Sequence, residues 1–177
     1  LAAFAGSGIG SALLFLLCSF LLNKNSVKQR PYLYYFIFWL QLMNLGNFFD
    51  YVPIRTFSTH GDVGNMVRGL NISPWWVFII IGYIVAYLMY RFFTRTIISM
   101  FVNLKITSIS VQACIMIVCV LIMFGWFGGI LGPLISKNPM HNGEIAYFLE
   151  IATFAAIPGI VFILWPTQKW IIDRMKI

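Results

Sequence analysis

Long apolar runs constrain this sequence more than any other feature. Residues 1–22 and residues 109–131 contain no charged side chain. A helix needs about 20 predominantly apolar residues to cross the hydrocarbon core of a bilayer, whereas a transmembrane β-strand needs about 10 residues of alternating polarity. The runs in this chain are long and do not alternate, so they predict membrane-spanning helices and argue against a transmembrane barrel.

The composition leads to the same class of protein. Of the 177 residues, 60% are hydrophobic and 10% are charged, and the mean hydropathy is +0.87. A soluble domain carries about 25% charged residues. We therefore predict an all-α, polytopic integral membrane helical bundle, with residues 1–177 forming a single transmembrane domain of about five helices. The predicted spans are residues 1–22, 32–49, 74–93, 109–131 and 144–165, and residues 50–73 form a polar connection.

The net charge of +7 comes from basic residues clustered at the ends of the apolar runs. This placement is typical of topology signals and of headgroup contacts, so we expect the lipid bilayer as a partner and no nucleic acid. Three lysines or arginines follow the first span, three follow the third and three lie in the tail, whereas the other connections carry fewer. The positive-inside rule then predicts the N-terminus outside and the C-terminus cytoplasmic.

The polar residues of the chain gather in residues 44–76, which hold two of the five acids and one of the two histidines. Pro53 and Gly61 interrupt this stretch, which argues against one long helix. Residues 62–70 are predicted to form a short helix with Asp62 near its N-cap. Ser73 followed by Pro74 predicts the start of the next helix. The stretch either dips into the membrane or lies outside it.

Amide side chains form a stripe in the second half of the second span. Gln41, Asn44 and Asn47 are spaced by three residues and therefore share one helix face. Amides within lipid usually form hydrogen bonds to a neighbouring helix. The alternative is that Asn44 and Asn47 line a functional site.

Ionisable residues in or beside the spans are the candidates for chemistry. Glu150 lies about two turns into the fifth predicted span, where it pairs with an arginine or an amide of a neighbouring helix, is protonated, or serves a function. His60, Asp62 and His141 fall on the same predicted outer side, and histidines with carboxylates are ligands that suit zinc. The His60–Asp62 spacing is not a recognised ligand pair, however, so the chain by itself does not specify a metal site.

Several kinds of site are excluded by the absence of their motifs. The sequence contains no nucleophile elbow, no phosphate-binding loop and no dinucleotide-binding fingerprint. Its three cysteines lie inside apolar runs without CxxC spacing, which favours a packing role over disulfides or metal binding.

The order of motifs in residues 1–76 carries a family resemblance. Small residues in Phe4-Ala-Gly-Ser7 open the first span, and Asn47 is followed by Pro53 and then by Gly61-Asp62-Val-Gly64. This order resembles the C-terminal part of the site-2 proteases, which are intramembrane zinc metalloproteases. In that family a span with a small-residue Ala-Gly motif precedes a span with an Asn-x-x-Pro and an Asp-Gly motif.

The resemblance implies roles for two residues. Asp62 would be the third zinc ligand, and Asn47 would be an amide that orients the substrate or the site. The family's remaining ligands come from an HExxH helix that lies earlier in the chain, and no HExxH occurs in this sequence. We therefore expect zinc only if an HExxH segment lies upstream, and we expect no catalysis by this chain alone.

Two other classes of function are left open by the sequence. A non-catalytic helical subunit of a larger membrane complex is one, because small residues such as Gly82 and Ala86 let neighbouring helices approach closely. This reading predicts membrane protein partners or an oligomer. A transporter or channel part is the other, with the amide stripe and Glu150 lining the path.

Overall fold

The structure, a computed structural model, describes residues 9–58, 62–130 and 144–165, and this part of the chain contains helices and turns but no strand. The predicted all-α class is confirmed. In chain order the α-helices are α1 (Gly10–Asn23), α2 (Asn25–Lys28), α3 (Pro31–Tyr51), α4 (Asp62–Gly69), α5 (Pro74–Arg91), α6 (Ile97–Asn103), α7 (Ile109–Val120), α8 (Glu144–Ala155) and α9 (Ile157–Ile163). A 3₁₀ turn covers Ile54–Phe57, and π-helical segments cover Phe92–Thr96 and Leu121–Ile130.

Helix α3 is the centre of the bundle. It begins at Pro31, whose fixed φ suits the first position of a helix. Its side chains at Phe38, Leu42 and Leu45 are completely buried. Helix α1, helix α5 and the second π-helical segment all pack against it. The polar residues that follow α3 are therefore held at one end of a packed core.

In the described residues, three helical stretches are long and apolar enough to cross a membrane. They are Pro74–Asn103, Ile109–Phe127 and Glu144–Ile163. Five had been predicted. Helix α1 is apolar but has only 14 residues in the part of the chain that the structure describes. Helix α3 has 21 residues, but its amides, its acid and its tyrosines lower its hydropathy.

The helix of the third predicted span continues beyond residue 93. It runs through the first π-helical segment and α6 to Asn103. Lys105 then adopts a left-handed conformation with φ of 55°. The Ile106 amide donates to the Phe101 carbonyl at 2.9 Å, which is the hydrogen bond of a Schellman cap. The helix therefore ends at this cap and not at the arginines.

The α-helical geometry is interrupted within the fourth and fifth predicted spans. In the fourth, Gly125, Gly128 and Gly129 lie inside the second π-helical segment. In the fifth, the helix breaks at Ala156, two residues before Pro158. Proline has no N–H to donate to the preceding turn, which accounts for this break.

Candidate functional site

The last turn of α3 and the 3₁₀ turn form a buried ion pair. Arg55 Nη2 lies 3.2 Å from Asp50 Oδ2, and the Asp50 side chain is only 3% exposed. The five-residue separation places one partner at the end of the helix and the other in the turn after Pro53. The second Asp50 oxygen, Oδ1, is buried without a hydrogen-bond partner among the described residues. Arg55 therefore neutralises a carboxylate whose own hydrogen bonding is incomplete.

Glu150 joins this pair from the far end of the sequence. Helix α8 packs against the 3₁₀ turn, so Glu150 lies near enough to Asp50 and Arg55 for all three charges to interact. Glu150 is 3% exposed, and its Oε2 atom has no hydrogen-bond partner in the described part of the chain. A second buried carboxyl group thus lies near the ion pair of Asp50 and Arg55. Such groups are costly in a membrane protein and mark a candidate functional site.

A groove of about 390 Å³ lies beside this charged cluster. Its walls come from the 3₁₀ turn, from α4 and from the start of α8, with Arg68 and Glu144 among the lining residues. Helix α4 is held closely against the turn, because a Cβ atom added at Gly64 would overlap the carbonyl oxygen of Ser58. The polar stretch therefore folds into a compact cap at the end of α3, with a mainly apolar groove on it that also contains Arg68 and Glu144.

Asp62 is the first residue of α4 and is partly exposed. The short helix predicted for residues 62–70 is confirmed, and it ends in a Schellman cap in which the Ile72 amide donates to the Val67 carbonyl at 3.1 Å. In the described residues no three His, Cys, Asp or Glu side chains gather closely enough to hold a metal ion. These residues alone therefore do not fit a zinc site, and we derive no chemical step through zinc. Both predicted histidines, His60 and His141, lie outside the described residues.

The amide stripe of α3 forms hydrogen bonds to its neighbour α1. Gln41 Nε2 donates to Ser19 Oγ at 2.7 Å, and Asn47 Nδ2 donates to Ser11 Oγ at 2.7 Å. The helices run antiparallel, so the serine nearer the end of α1 meets the glutamine nearer the start of α3. Asn44 instead donates to the Leu40 carbonyl of its own helix at 2.7 Å. The predicted bonding between helices is confirmed for Gln41 and Asn47.

Asp50 and Arg55 were not selected from the sequence, although Glu150 was. The spacing across Pro53 is a weak signal, because a proline turn after a helix allows a residue five positions later to fold back onto the last turn. That Glu150 reaches the same place depends on the packing of α8 on the 3₁₀ turn, which no local pattern reveals.

The chain was compared with models of protein families, with curated proteins and with solved structures, and none of the three comparisons found a match.

Proposed function

We propose that this chain is the membrane-embedded C-terminal part of a protein resembling the intramembrane zinc metalloproteases, and that it is not catalytic by itself. The observation that carries the proposal is the hydrogen bond between Asn47 and Ser11. Ser11 follows the small-residue motif at the start of the first predicted span, and Asn47 begins the motif that leads to Asp62. The helix that follows the first motif in the sequence thus contacts the first residue of the second motif.

In this proposal Asp62 contributes one carboxylate ligand at the start of α4, and the remaining ligands come from residues outside those described here. Zinc supplies a Lewis acid and an activated water when it is bound in such a site. The residues of this chain hold α4 in place through the Gly64 contact, and they set the charge beside the groove through Asp50, Arg55 and Glu150.

The same proposal includes five membrane spans, with α1 and α3 added to the three long apolar helices. Support comes from the packing of α1 and α3 inside one core with α5 and the second π-helical segment. The N-terminus would be outside and the C-terminus cytoplasmic. An impermeant maleimide tests this orientation on intact cells: Asn65→Cys should react from outside, and Lys24→Cys should react only after the membrane is opened. The reverse pattern would overturn the orientation.

The metal test uses the longest natural chain that contains this sequence, purified with its membrane segments intact. Zinc content is measured for that protein, for Asp62→Asn and for Glu144→Gln. Glu144 is the matched control, because it is an exposed carboxylate beside the same groove. About one zinc per chain that is lost only in Asp62→Asn would support the proposal. Zinc retained in Asp62→Asn, or absent from all three proteins, would overturn it.

The second candidate function is a non-catalytic subunit of a larger membrane complex. Its specific support is the low burial of the last long helix, Glu144–Ile163. Only 12% of the most apolar stretch of this helix is buried against the rest of the protein. Gly82 on α5 also faces open space, since a Cβ atom added there meets no atom within 4 Å. Crosslinking in native membranes from cysteines placed at Tyr83 and Phe148 tests it. Specific adducts with another protein support a complex. Crosslinks to lipid without any protein adduct contradict it.

A further inference from the structure

A second cavity lies at the opposite end of α3 from the charged cluster. It has a volume of about 370 Å³, and we call it the basic cleft. Helices α1 and α5 both pack on α3 and form the two walls, and α3 forms the floor. The cleft is placed where α1 ends, α3 begins and α5 ends. These three helix ends mark one surface of the bundle, on the side where the basic connections of the sequence cluster.

Among the described residues that line the basic cleft there are three cations and no acid. They are Lys28 after α1, and Arg91 and Arg95 at the end of α5 and in the first π-helical segment. The ion pair found in the described part of the chain, Arg55 with Asp50, lies at the other end of α3. Three positive charges around one cavity raise its electrostatic potential and attract anions. The cleft is therefore electrostatically suited to an anionic ligand.

Gln41 at the floor of the cleft requires a hydrogen-bond donor. Ser19 has one hydroxyl proton, which it donates to the Phe15 carbonyl at 2.8 Å. It can therefore only accept a hydrogen bond from Gln41, which fixes the Gln41 amide with Nε2 toward Ser19. The Gln41 carbonyl oxygen Oε1 is then left buried without a partner among the described residues, in a side chain that is 2% exposed. A buried acceptor of this kind is normally satisfied by a protein group or an ordered water, and a ligand hydroxyl can take the place of that water.

The walls of the cleft continue into apolar helix faces. Leu16 lines the cleft, and Leu13 and Phe20 extend the same exposed face of α1 at helical spacing. Leu88 lines the opposite wall, and Ile84 extends that face of α5. A ligand with its anionic group in the cleft would thus have apolar surface on both sides for hydrocarbon chains. A soluble phosphate compound would leave this surface unused.

We propose that the basic cleft binds the headgroup of an anionic phospholipid that carries a free hydroxyl, such as a glycerol headgroup. The phosphate lies among Lys28, Arg91 and Arg95, and a headgroup hydroxyl donates to Gln41 Oε1. Charge-assisted hydrogen bonds from arginine to phosphate are strong, and juxtamembrane cations attract anionic lipids. The acyl chains lie against α1 and α5. This site is separate from Asp62 and does not depend on the metal proposal.

Binding is measured on the full chain in detergent by native mass spectrometry, with four probes. They are phosphatidylglycerol, phosphatidylethanol, phosphatidylcholine and soluble glycerol 3-phosphate. Phosphatidylethanol has the same charge as phosphatidylglycerol but no headgroup hydroxyl. We expect phosphatidylglycerol to bind most tightly, followed by phosphatidylethanol. Binding of phosphatidylcholine at equal strength would show that the cleft does not distinguish anionic from zwitterionic headgroups. Equal binding of glycerol 3-phosphate would assign the cleft to a soluble ligand. Either result would overturn the proposal.

Two variants with equal loss of charge locate the site. The double variant Arg91→Gln/Arg95→Gln removes two cations from the cleft, and we expect it to weaken phosphatidylglycerol binding about 10- to 30-fold. The matched control Lys24→Gln/Arg30→Gln removes two exposed cations near the same end that do not line the cleft. Equal losses in both double variants would mean that only the net charge matters, which contradicts a built site.

Gln41→Leu tests the hydroxyl contact. The variant should keep its binding of phosphatidylethanol and lose its preference for phosphatidylglycerol, because the buried acceptor is gone. An unchanged preference would remove Gln41 from the proposal. If the variant does not fold, the comparison of the two lipids on the unchanged protein decides whether a hydroxyl is recognised.

Discussion

The ring of Phe127 lies directly on the backbone of Gly46. A Cβ atom added at Gly46 would be 2.9 Å from Phe127 Cε2 and would overlap the adjacent ring carbon. Phe127 itself is buried, so the ring has little space into which to move. This contact joins the central helix α3 to the second π-helical segment. It depends on the absence of a side chain at one position.

Replacing Gly46 should therefore destabilise the bundle. We expect Gly46→Ala to lower the free energy of unfolding by about 1–3 kcal/mol, the usual range for overpacking a core. Thermal unfolding in detergent measures the change. Gly82→Ala is the control on another helix, where the added methyl meets no atom within 4 Å and better helix propensity should leave stability unchanged or raised. An equal loss in both variants would contradict the steric explanation.

Replacing Gly64 should have a more local effect. A methyl group there overlaps the Ser58 carbonyl oxygen, which is backbone and cannot rotate away as a side chain can. We expect Gly64→Ala to detach α4 from the 3₁₀ turn, so that hydrogen exchange of the α4 amides becomes faster. Gly69→Ala, on the same helix with no atom within 4 Å of the added methyl, should leave exchange unchanged. Slow exchange in both variants would show that α4 is not held by this contact.

The hydrogen bond between Asn47 and Ser11 should contribute measurably to the packing of α1 on α3. A double-mutant cycle with Asn47→Ala and Ser11→Ala should give a coupling of about 0.6 kcal/mol, as is typical of such bonds in membrane proteins. The measurement is unfolding in mixed micelles. A cycle between Asn44 and Ser11 is the control, because Asn44 bonds within its own helix and should show no coupling. No coupling for Asn47 would mean that the hydrogen bond adds nothing to the packing.

Substitutions in the cluster of Asp50, Arg55 and Glu150 should change the free energy of unfolding by different amounts. Arg55→Met leaves two buried carboxyl groups without a cation, and we expect a loss of about 2–3 kcal/mol. Glu150→Gln removes one of the two competing negative charges and should cost less than 1 kcal/mol or stabilise the fold. Unfolding of the two variants side by side is the measurement. A greater loss for Glu150→Gln would show that Glu150 and not Asp50 is the main partner of Arg55.

The variant Glu150→Gln also tests whether Glu150 is a structural group or lies on a transport path. The transporter interpretation requires proton or ion flux in reconstituted vesicles that disappears in this variant. Flux that persists, or no flux in the unchanged protein, would leave Glu150 as a structural group.

The sequence predicts the helical class and the approximate positions of the helices, because a long apolar segment within lipid folds as a helix. The helix continues past residue 93, where the third span was predicted to end, and the reason is physical. Arg91 and Arg95 suggest an interface, but arginine side chains extend past apolar surface, and no helix-breaking residue stops the backbone before the left-handed Lys105. The π-helical segments have no local signature, because widening a helix depends on what packs against it.

The candidate site is predictable only in part. The i, i+3 spacing of the amides on α3 correctly indicated contacts with a neighbouring helix, since spacing alone fixes a shared face. The partners Ser11 and Ser19 were not predicted, because the register between two helices is set by packing along their whole length. The charged cluster joins residues 50 and 150, and only the tertiary fold brings such distant positions together.

In the proposed five-span arrangement, the central helix also fixes a length across the bilayer. Tyr34 lies at the basic cleft and Asp50 in the charged cluster, and their separation of 16 positions corresponds to about 24 Å of helix. A rigid helix cannot change this separation when the surrounding lipid tails become longer or shorter. In a thicker or thinner bilayer one of the two ends must move away from its preferred depth, at a cost in free energy for each ångström of mismatch. The stability of this protein should therefore pass through a maximum as the acyl chain length of the host lipid is varied.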